Sequence, residues 1–378
     1  MLARLVGFDT TSAKSNRALI DWVRGYFAGH GVESTLVPNA EGTKASLYAS
    51  IGPKVEGGVV LSGHTDVVPV DGQPWDTDPW TLTDKGGRLY GRGSCDMKGF
   101  VACALAAVPR LRAARLKAPV HFAFSYDEEV GCLGAHSLAE RLMGDVPRPR
   151  AVVIGEPTMM GTVKGHKGQN SYGVVITGFE AHSSMTHLGV SAIHFAGELI
   201  HFINGLQEEF ARRADPANGY MPPYGTFNVG TLDGGTAGNI LARECALVWE
   251  YRQVPGEDGD EARRRLQAHI DEVLLPAMRR KHPAADIAMT PRFVVPAFKG
   301  EENGEAETLA RAWSGSNAST MVAYATEAGI FQGTGVSTIV CGPGDIAQAH
   351  QPNEFVLRSQ LDSCDAFLAR MIAWAERG

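Results

Sequence analysis

The chain has 378 residues, of which 44% are hydrophobic and 20% charged, a composition typical of folded globular proteins rather than disordered ones. At roughly 150 residues per domain, this length predicts two to three domains, or one large domain with an insertion. The 35 Lys and Arg against 42 Asp and Glu give a formal net charge of −7, the wrong sign for a protein that binds nucleic-acid phosphates.

No stretch of the sequence approaches the roughly 18 consecutive apolar residues that a membrane-spanning helix requires. The opening residues MLARLVGFDTTS become polar too soon for a signal peptide. The six cysteines are scattered without a C-x-x-C pair, which is typical of reduced thiols rather than of a disulfide framework. We therefore expect a soluble, cytoplasmic protein that binds neither nucleic acid nor a membrane.

The first part of the chain alternates helical and strand-like patterns. Apolar residues recur at helical spacing in 15–30, and 96–116 carries a second apolar helical face. Segments 59–68, 119–131 and 151–157 are short apolar runs, and each of them ends in polar residues. Buried strands that alternate with helices predict an α/β sheet whose strand ends open onto loops.

The stretch from 168 to 296 has a different pattern. Alternating strands over 171–179 and 246–252 are joined by two long helices, near 190–213 and 258–280. Strands of this kind, which alternate apolar and polar residues, are typical of an α+β arrangement rather than of buried parallel strands. The sequence therefore predicts an α+β domain at 168–296.

The α/β pattern resumes after this stretch. A helix is predicted over 304–313, and another apolar strand that ends in a loop over 338–344. The predicted organisation is a discontinuous α/β domain, 1–167 plus 297–378, in which helices sandwich a mixed sheet and into which the α+β domain is inserted.

Side chains of the types that bind metals follow the predicted strands. They are His64 and Asp66 after the first strand, Asp96 just before a helix, Glu128 and Glu129 after the second strand, Glu156 after the third and His350 after the last. Strand ends of an open α/β sheet are the usual place for a site. Two histidines with several carboxylates suit Zn²⁺ or a neighbouring first-row ion.

The number of candidates favours two metal ions over one. Five ligand positions are too many for a single catalytic zinc with an open position, whereas they suit two ions about 3.5–4 Å apart with one bridging carboxylate. Glu128 and Glu129 are adjacent, so on an extended backbone one can bind metal while the other addresses a water. Asp66 could accept the second N–H of His64 and fix its tautomer.

Each of these residues also has an ordinary structural interpretation. A single histidine near a strand end is commonly a surface or core residue, an acidic triplet is commonly a solvated loop, and a Gly-Glu-Pro segment is commonly a turn. Their occurrence at successive strand ends favours a site, but spacing alone leaves both interpretations open.

The motifs taken together resemble a known superfamily, the co-catalytic zinc metallopeptidases, which include aminoacylases, succinyl-diaminopimelate desuccinylases and glutamate carboxypeptidases. The longest similar segment is 62–100, SGHTDVVPVDGQPWDTDPWTLTDKGGRLYGRGSCDMKGF. The similarity continues in the family's order through SYDEEVGCLGA, VIGEPT, GFEAHSS, GGTAGNI, TEAGIFQ and CGPGDIAQAHQPNEFV. Within the superfamily, VPVDGQPWDTDPW, LVGFDTTSAKSN and GPGDIAQAHQPNEF look most like the members that deacetylate N2-acetyl-L-ornithine.

The resemblance implies a di-metal hydrolase with assigned ligands. The implied roles are His64 and Glu156 as ligands of one zinc, Glu129 and His350 as ligands of the other, Asp96 as the bridge, Glu128 as general base and Asp66 as the residue that orients His64. Zn²⁺ is the expected metal, and Co²⁺ or Mn²⁺ also suits these ligands.

The resemblance identifies the inserted domain as a lid and dimerisation domain, so we expect a homodimer that contacts its partner through the strand at 171–179 and the neighbouring helix. It implies that His182 stabilises the oxyanion, in its own or the neighbouring subunit's site, and that Asn239 and Arg252 contact the substrate. Arg252 suits a bidentate contact with an α-carboxylate. Glu327 could pair with an ornithine ammonium group or have a structural hydrogen-bonding role.

The implied activity is metal-dependent removal of the acetyl group from N2-acetyl-L-ornithine, which gives ornithine and acetate in arginine biosynthesis. Alternatives within the same chemistry are another N-acyl amino acid deacylase, acting on acetylcitrulline or succinyl-diaminopimelate, and a dipeptidase. A catalytically silent binding protein is an alternative of a different class. The lid departs from the family's pattern, because Asn239 to Ala242 lacks the proline of N-x-x-P, and Glu250 replaces the aspartate of D-x-R.

Overall fold

The computed structural model describes all 378 residues, Met1–Gly378. The helices are α1 Leu2–Val6, α2 Arg17–Gly29, α3 Lys98–Ala113, α4 Leu133–Asp145, α5 Ala192–Arg212, α6 Glu261–His269, α7 Leu275–Lys281, α8 Glu305–Ser314, α9 Ala328–Gly333 and α10 Arg358–Arg377. The strands are β1 Ser34–Pro38, β2 Ala45–Ile51, β3 Val59–His64, β4 Thr83–Lys85, β5 Arg88–Tyr90, β6 Val120–Ser125, β7 Ala151–Ile154, β8 Thr162–His166, β9 Gln169–Thr177, β10 Thr226–Gly234, β11 Glu244–Arg252, β12 Asp286–Val295, β13 Ser319–Val322, β14 Ser337–Val340 and β15 Phe355–Leu357.

The largest sheet has eight strands in the order β1-β2-β6-β3-β7-β14-β8-β13. Its centre is parallel, because β3 pairs in parallel with both β6 and β7, and β14 pairs in parallel with β7. Every residue of β3, β6 and β7 is buried. Continuous burial of this kind requires cover on both faces of the sheet.

Helices lie on both faces of this sheet, as β2 demonstrates. Leu47 belongs to a hydrophobic core that includes residues of α2, α3 and α10. Its neighbours Ser46 and Tyr48 instead hydrogen-bond Gly134 and Asp145 of α4. Because successive side chains of a strand point to opposite faces, α4 lies on the face opposite that core. The predicted mixed α/β fold with helices around the sheet is confirmed.

The chain divides into two compact units. One comprises Met1–Gly165, Phe298–Met321 and Thr326–Gly378, and the other comprises His166–Ala297 and Val322–Ala325. The second unit contains a four-stranded antiparallel sheet of order β10-β11-β9-β12. Helices α5, α6 and α7 contribute to its separate core, which includes Trp249. The assignment of a lid and dimerisation role to this part of the chain stays a prediction.

The second unit departs from the predicted pattern in one detail. The helix predicted over 258–280 is divided, because Ile270–Leu274 forms a π-helical segment between α6 and α7. The strand expected at 171–179 corresponds to β9, which is internal to its sheet and pairs with β11 and β12 on its two sides. The free edges of that sheet are therefore β10 and β12.

None of the helices combines the length and the apolar character needed to cross a bilayer.

Candidate metal centre

The predicted ligands converge because the strands that carry them are parallel. His64 is the last residue of β3 and pairs with Ser125, the last residue of β6, so Glu128 emerges three residues beyond the same edge. Glu156 follows the end of β7 by two residues, and His350 lies in the loop after β14. All four loops therefore leave the sheet at the same edge, as open α/β sheets arrange their sites.

Asp96 lies between the two histidines. Its Oδ1 atom is 3.0 Å from Nε2 of His64, and its Oδ2 atom is 3.4 Å from Nε2 of His350. His64 Nε2 is also 3.8 Å from Oε1 of Glu156, and His350 Nε2 is 2.9 Å from Oε2 of Glu129. The structure thus joins each histidine to the carboxylate that the resemblance pairs with it, and Asp96 contacts both histidines.

Two overlapping groups of ligand atoms are compact enough for a metal ion. One group is His64, Glu128 and Glu156, and the other is His64, Asp96 and Glu129; within each group the ligand atoms all lie within 4.8 Å of one another. The structure therefore brings together the five predicted ligands and the predicted base. It places Glu128, the predicted base, as close to the ligand cluster as the ligands themselves.

The electrostatics of the cluster favour cations. Burial raises the pKa of Glu128, Glu129 and Glu156, that of Glu129 to about 7. Hydrogen bonds to Asp96 and Glu129 raise the pKa of His350 to about 10. Burial acts to raise the pKa of Asp96 as well, but the hydrogen bonds from His350 and His64 outweigh it and lower the pKa below its usual range.

The donor set fits divalent metal ions. Four carboxylates and two imidazoles lie together, and neither a lysine nor an arginine forms an ion pair with any of the four carboxylates. Burying this much negative charge is costly unless it is paired or coordinates a metal. Mixed nitrogen and oxygen donors of this kind match zinc and neighbouring first-row ions.

The structure places the backbone carbonyl of Asp66, rather than its carboxylate, nearest to the His64 ring. Nδ1 of His64 lies 2.9 Å from the backbone carbonyl of Asp66 but 3.7 Å from its carboxylate. The carboxylate instead accepts hydrogen bonds from the Ser12 hydroxyl (2.7 Å) and from the backbone N–H groups of Glu128 (3.1 Å) and Glu129 (3.3 Å). The main chain of Asp66 orients the imidazole, and its side chain holds the loop that carries the adjacent glutamates.

Glu327 is buried beneath the same edge of the sheet. It is 1% exposed and accepts hydrogen bonds from the hydroxyl groups of Ser62, at 3.1 Å, and Ser125. These contacts match the structural alternative that the sequence left open. Contact of Glu327 with a substrate ammonium group stays a prediction.

The predicted residues of the inserted domain belong to two places in the second unit. His182 is exposed, and Ser183 N–H donates to the Asn239 carbonyl at 3.0 Å, so the segments of His182 and Asn239 adjoin. Arg252 ends β11, and its Nε atom donates to Oε1 of Glu250 at 3.0 Å. The glutamate that departs from the family's D-x-R pattern is therefore the ion-pair partner of Arg252.

Known proteins are similar to this chain over nearly its whole length. The profile of the peptidase family M20/M25/M40 matches residues 60–374. The chain belongs to this family. It is 36% identical to the acetylornithine deacetylase of Myxococcus xanthus, over 98% of this chain and 96% of the relative, and 33% identical to that of Proteus mirabilis, over 96% and 91%.

Solved structures of M20 and related peptidases share the fold. An M20 family metallo-carboxypeptidase from Sulfolobus solfataricus superposes with a TM-score of 0.78 at 18% identity, covering 100% of this chain and 98% of the other. A tripeptidase from Staphylococcus aureus superposes with a TM-score of 0.76 at 20% identity, covering 100% and 97%. The M20 family is metal-dependent, and this M20 protein is a hydrolase that acts on amide bonds.

Sequence reasoning missed several residues that support the M20 site. Lys44 Nζ contacts both carboxylate oxygens of Asp127, at 2.6 and 2.7 Å, directly before Glu128. Arg92 and Glu354 form a fully buried ion pair beside Asp96. Asp127, Arg92 and Glu354 lie inside the DEE, GRG and PNEF segments, whereas Lys44 lies in no motif. Position in a motif does not reveal a hydrogen-bond partner.

Gly155, which precedes the proposed ligand Glu156, has no room for a side chain. A Cβ atom there would lie 2.0 Å from the ring of Phe100, which is buried in α3. We expect Gly155→Ala to displace the end of β7, to destabilise the protein by about 1–3 kcal/mol as overpacked cores do, and to weaken metal binding. Thermal unfolding and metal content by atomic emission check this.

Gly144→Ala is the matched control, because nothing lies within 4 Å of a Cβ atom at that helical position. It should unfold at or slightly above the wild-type temperature, since alanine favours a helix. If Gly155→Ala unfolds and binds metal as the wild type does, the close approach of Phe100 does not constrain Glu156.

Proposed function

We propose that this M20 hydrolase removes the acetyl group from N2-acetyl-L-ornithine and releases ornithine and acetate, as a step of arginine biosynthesis. The observation that carries the proposal is the 36% identity, over 98% of the chain, with a protein named acetylornithine deacetylase. The buried cluster of two histidines and four carboxylates supports it, because this donor set suits metal-assisted hydrolysis.

Two zinc ions are the proposed cofactors, with Co²⁺ or Mn²⁺ as ions that the same ligands accept. His64 and Glu156 would hold one ion, Glu129 and His350 the other, and Asp96 would bridge them. The contacts of Asp96 with both histidines support its bridging role. Ions bound there would lower the pKa of water and polarise the acyl carbonyl.

Glu128 is the proposed general base and acid. Its carboxylate takes a proton from the attacking water, and the oxygen of that water then forms a bond to the acyl carbon. When the C–N bond breaks, Glu128 returns the proton to the departing amine. The backbone N–H groups of Glu128 and Glu129 donate hydrogen bonds to the Asp66 carboxylate, and these bonds support the assignment because they fix the loop from which both side chains extend.

The remaining proposed contacts come from His182, Asn239 and Arg252 of the inserted domain and from Glu327 of the α/β domain. We propose that His182 donates to the oxyanion, that Arg252 and Asn239 bind the polar groups of the amino acid, and that Glu327 contributes negative charge toward an ornithine ammonium group. The ion pair between Arg252 and Glu250 lowers the positive charge that Arg252 offers to a substrate carboxylate.

The test is a comparison of kcat/KM over a small panel of compounds. N2-acetylornithine, N-acetylcitrulline, N-succinyl-diaminopimelate and several dipeptides are assayed by ninhydrin, with N5-acetylornithine as the positional control. The proposal requires the highest kcat/KM for N2-acetylornithine and no hydrolysis of the N5 isomer. A higher value for another acyl amino acid would replace the substrate, activity only on dipeptides would overturn deacetylation, and inactivity on every compound would favour the silent binding protein.

We also propose that the protein is a homodimer. The proposal rests on the resemblance of the inserted domain to a dimerisation domain and is compatible with the two free edges of its sheet, β10 and β12. Light scattering should give twice the 40.4 kDa of one chain. A mass of 40.4 kDa would contradict it.

A cytoplasmic location is proposed from the state of the cysteines. All six are buried and none forms a disulfide, which suits a reducing compartment. Cell fractionation with an antibody against the protein tests the location, and recovery outside the cytoplasm would contradict it.

A further inference from the structure

The loop that carries Asp96 is organised by one buried carboxylate. Oε1 of Glu354 accepts the backbone N–H groups of Cys95 at 2.8 Å and Asp96 at 3.0 Å. Oε2 of Glu354 accepts the backbone N–H of Gly93 at 2.9 Å and the Arg92 guanidinium at 2.8 Å. Glu354 and Arg92 are each 1% exposed, so these bonds have no competition from solvent.

The same ion pair reaches the loop of His350. Arg92 donates to Oε1 of Gln73 at 2.5 Å, and Nε2 of Gln73 donates to the backbone carbonyl of His350 at 3.0 Å. The guanidinium of Arg92 also lies 5.1 Å from the ring of Trp75. Glu354 itself follows His350 by four residues. The buried pair of Arg92 and Glu354 is therefore connected to the loop of Asp96 and to the loop of His350. The side chains of Asp96 and His350 both lie close to Glu129.

We propose that Arg92 and Glu354 form a positioning pair for the metal position of Asp96, Glu129 and His350. The inference rests on the proposed metal-dependent function. The Glu354 carboxylate accepts hydrogen bonds from the backbone N–H groups of Gly93, Cys95 and Asp96 and thereby fixes the backbone orientation of Asp96. The Arg92 guanidinium offsets the charge of this carboxylate and is linked through Gln73 to the backbone carbonyl of His350. Partners of this kind, one step removed from the metal, typically contribute 10–100-fold to metal affinity.

Glu354→Gln is the direct test, because it keeps the size of the side chain and removes the charge. The amide NH₂ of the new glutamine must face either the N–H groups of Cys95 and Asp96 or those of Gly93 and Arg92. All of these groups are hydrogen-bond donors, so the hydrogen bonds on one side of the carboxylate are lost. Chelated protein is titrated with Co²⁺ by calorimetry and by visible absorption, without substrate. The variant should bind one Co²⁺ as the wild type does and the other about 10–100-fold more weakly, with a changed visible spectrum.

Glu301→Gln is the matched control. Glu301 accepts hydrogen bonds from Ser337 at 2.5 Å and Gln332 at 3.2 Å, and neither partner is a proposed ligand. This variant should bind both Co²⁺ ions normally. Wild-type affinity for both ions in Glu354→Gln, or an equal loss in Glu301→Gln, would overturn the proposal.

A second variant tests the positioning role of the Arg92–Glu354 pair if circular dichroism shows that Glu354→Gln does not fold. Gln73→Ala removes the link from Arg92 to the His350 carbonyl at a partly exposed position and leaves the bonds of Glu354 intact. It should bind the second Co²⁺ more weakly than Glu301→Gln does, and equal binding would overturn the proposal. Because no substrate is present, these results are independent of whether N2-acetylornithine is the compound hydrolysed.

Discussion

Glu128→Gln is expected to lower kcat by about 10²–10⁴-fold, the usual contribution of a general acid–base catalyst, while the protein keeps its metal. Glutamine has the shape of glutamate but cannot take a proton from water. The backbone bond from Glu128 N–H to Asp66 is unaffected by the substitution. The Cys132 thiol, 3.4 Å from Oε1 of Glu128, can still donate to the amide oxygen. Steady-state kinetics and metal content on the same preparation check the prediction.

Glu140→Gln, at an exposed position of α4, is the control and should behave as the wild type. Because Glu128 also groups with His64 and Glu156, the metal measurement separates two roles. Loss of activity with metal retained supports the general base. Loss of one equivalent of metal would show that Glu128 is a ligand, and an unchanged kcat would exclude both roles.

Asp96→Asn is expected to have the second large effect, a loss of metal from the site together with activity. Asp96 is the only carboxylate that contacts both His64 and His350, and asparagine offers one weak oxygen donor in place of two charged ones. The loss of affinity should exceed the roughly 10–100-fold that removal of a partner outside the ligand set costs. Metal content after gel filtration and kcat at saturating Zn²⁺ measure it.

The control for this substitution is Asp84→Asn, which removes an exposed carboxylate whose partner is Arg358. It should retain full metal content and rate, because exposed ion pairs contribute little. Retention of two equivalents of metal by Asp96→Asn would contradict the bridging assignment. His64 and His350 would then each bind a metal ion without a shared carboxylate.

The sheet and the ligand positions were accessible from sequence because both have local signals. Continuous apolar runs such as 151–154 predict buried central strands, and polar residues at their ends predict where a site forms. The convergence of His64, Glu156 and His350 then follows from parallel pairing, which places the carboxyl ends of the central strands β3, β7 and β14 at one edge. The assignment of roles to individual residues depended on the family resemblance, and no local pattern could supply it.

The supporting contacts were not accessible in this way. The carboxylates of Asp66 and Glu354 bind backbone N–H groups of loops that are distant along the chain, and backbone donors leave no trace in a sequence. The two-residue spacing and the resemblance both predict that Asp66 orients His64, but neither indicates that its backbone carbonyl lies closer to Nδ1 than its carboxylate does. The π-helical segment at Ile270–Leu274 likewise has no signal in the apolar periodicity of 258–280.

We propose that this cluster hydrolyses the amide bond of an N-acyl amino acid with the help of metal ions. The most direct measurement is ninhydrin-detected hydrolysis of N2-acetylornithine by purified protein, after chelation and again after addition of Zn²⁺ or Co²⁺. We predict no activity in the chelated protein and recovery with either ion, in proportion to metal bound up to two equivalents. Full activity in protein shown to be free of metal would contradict metal-dependent hydrolysis.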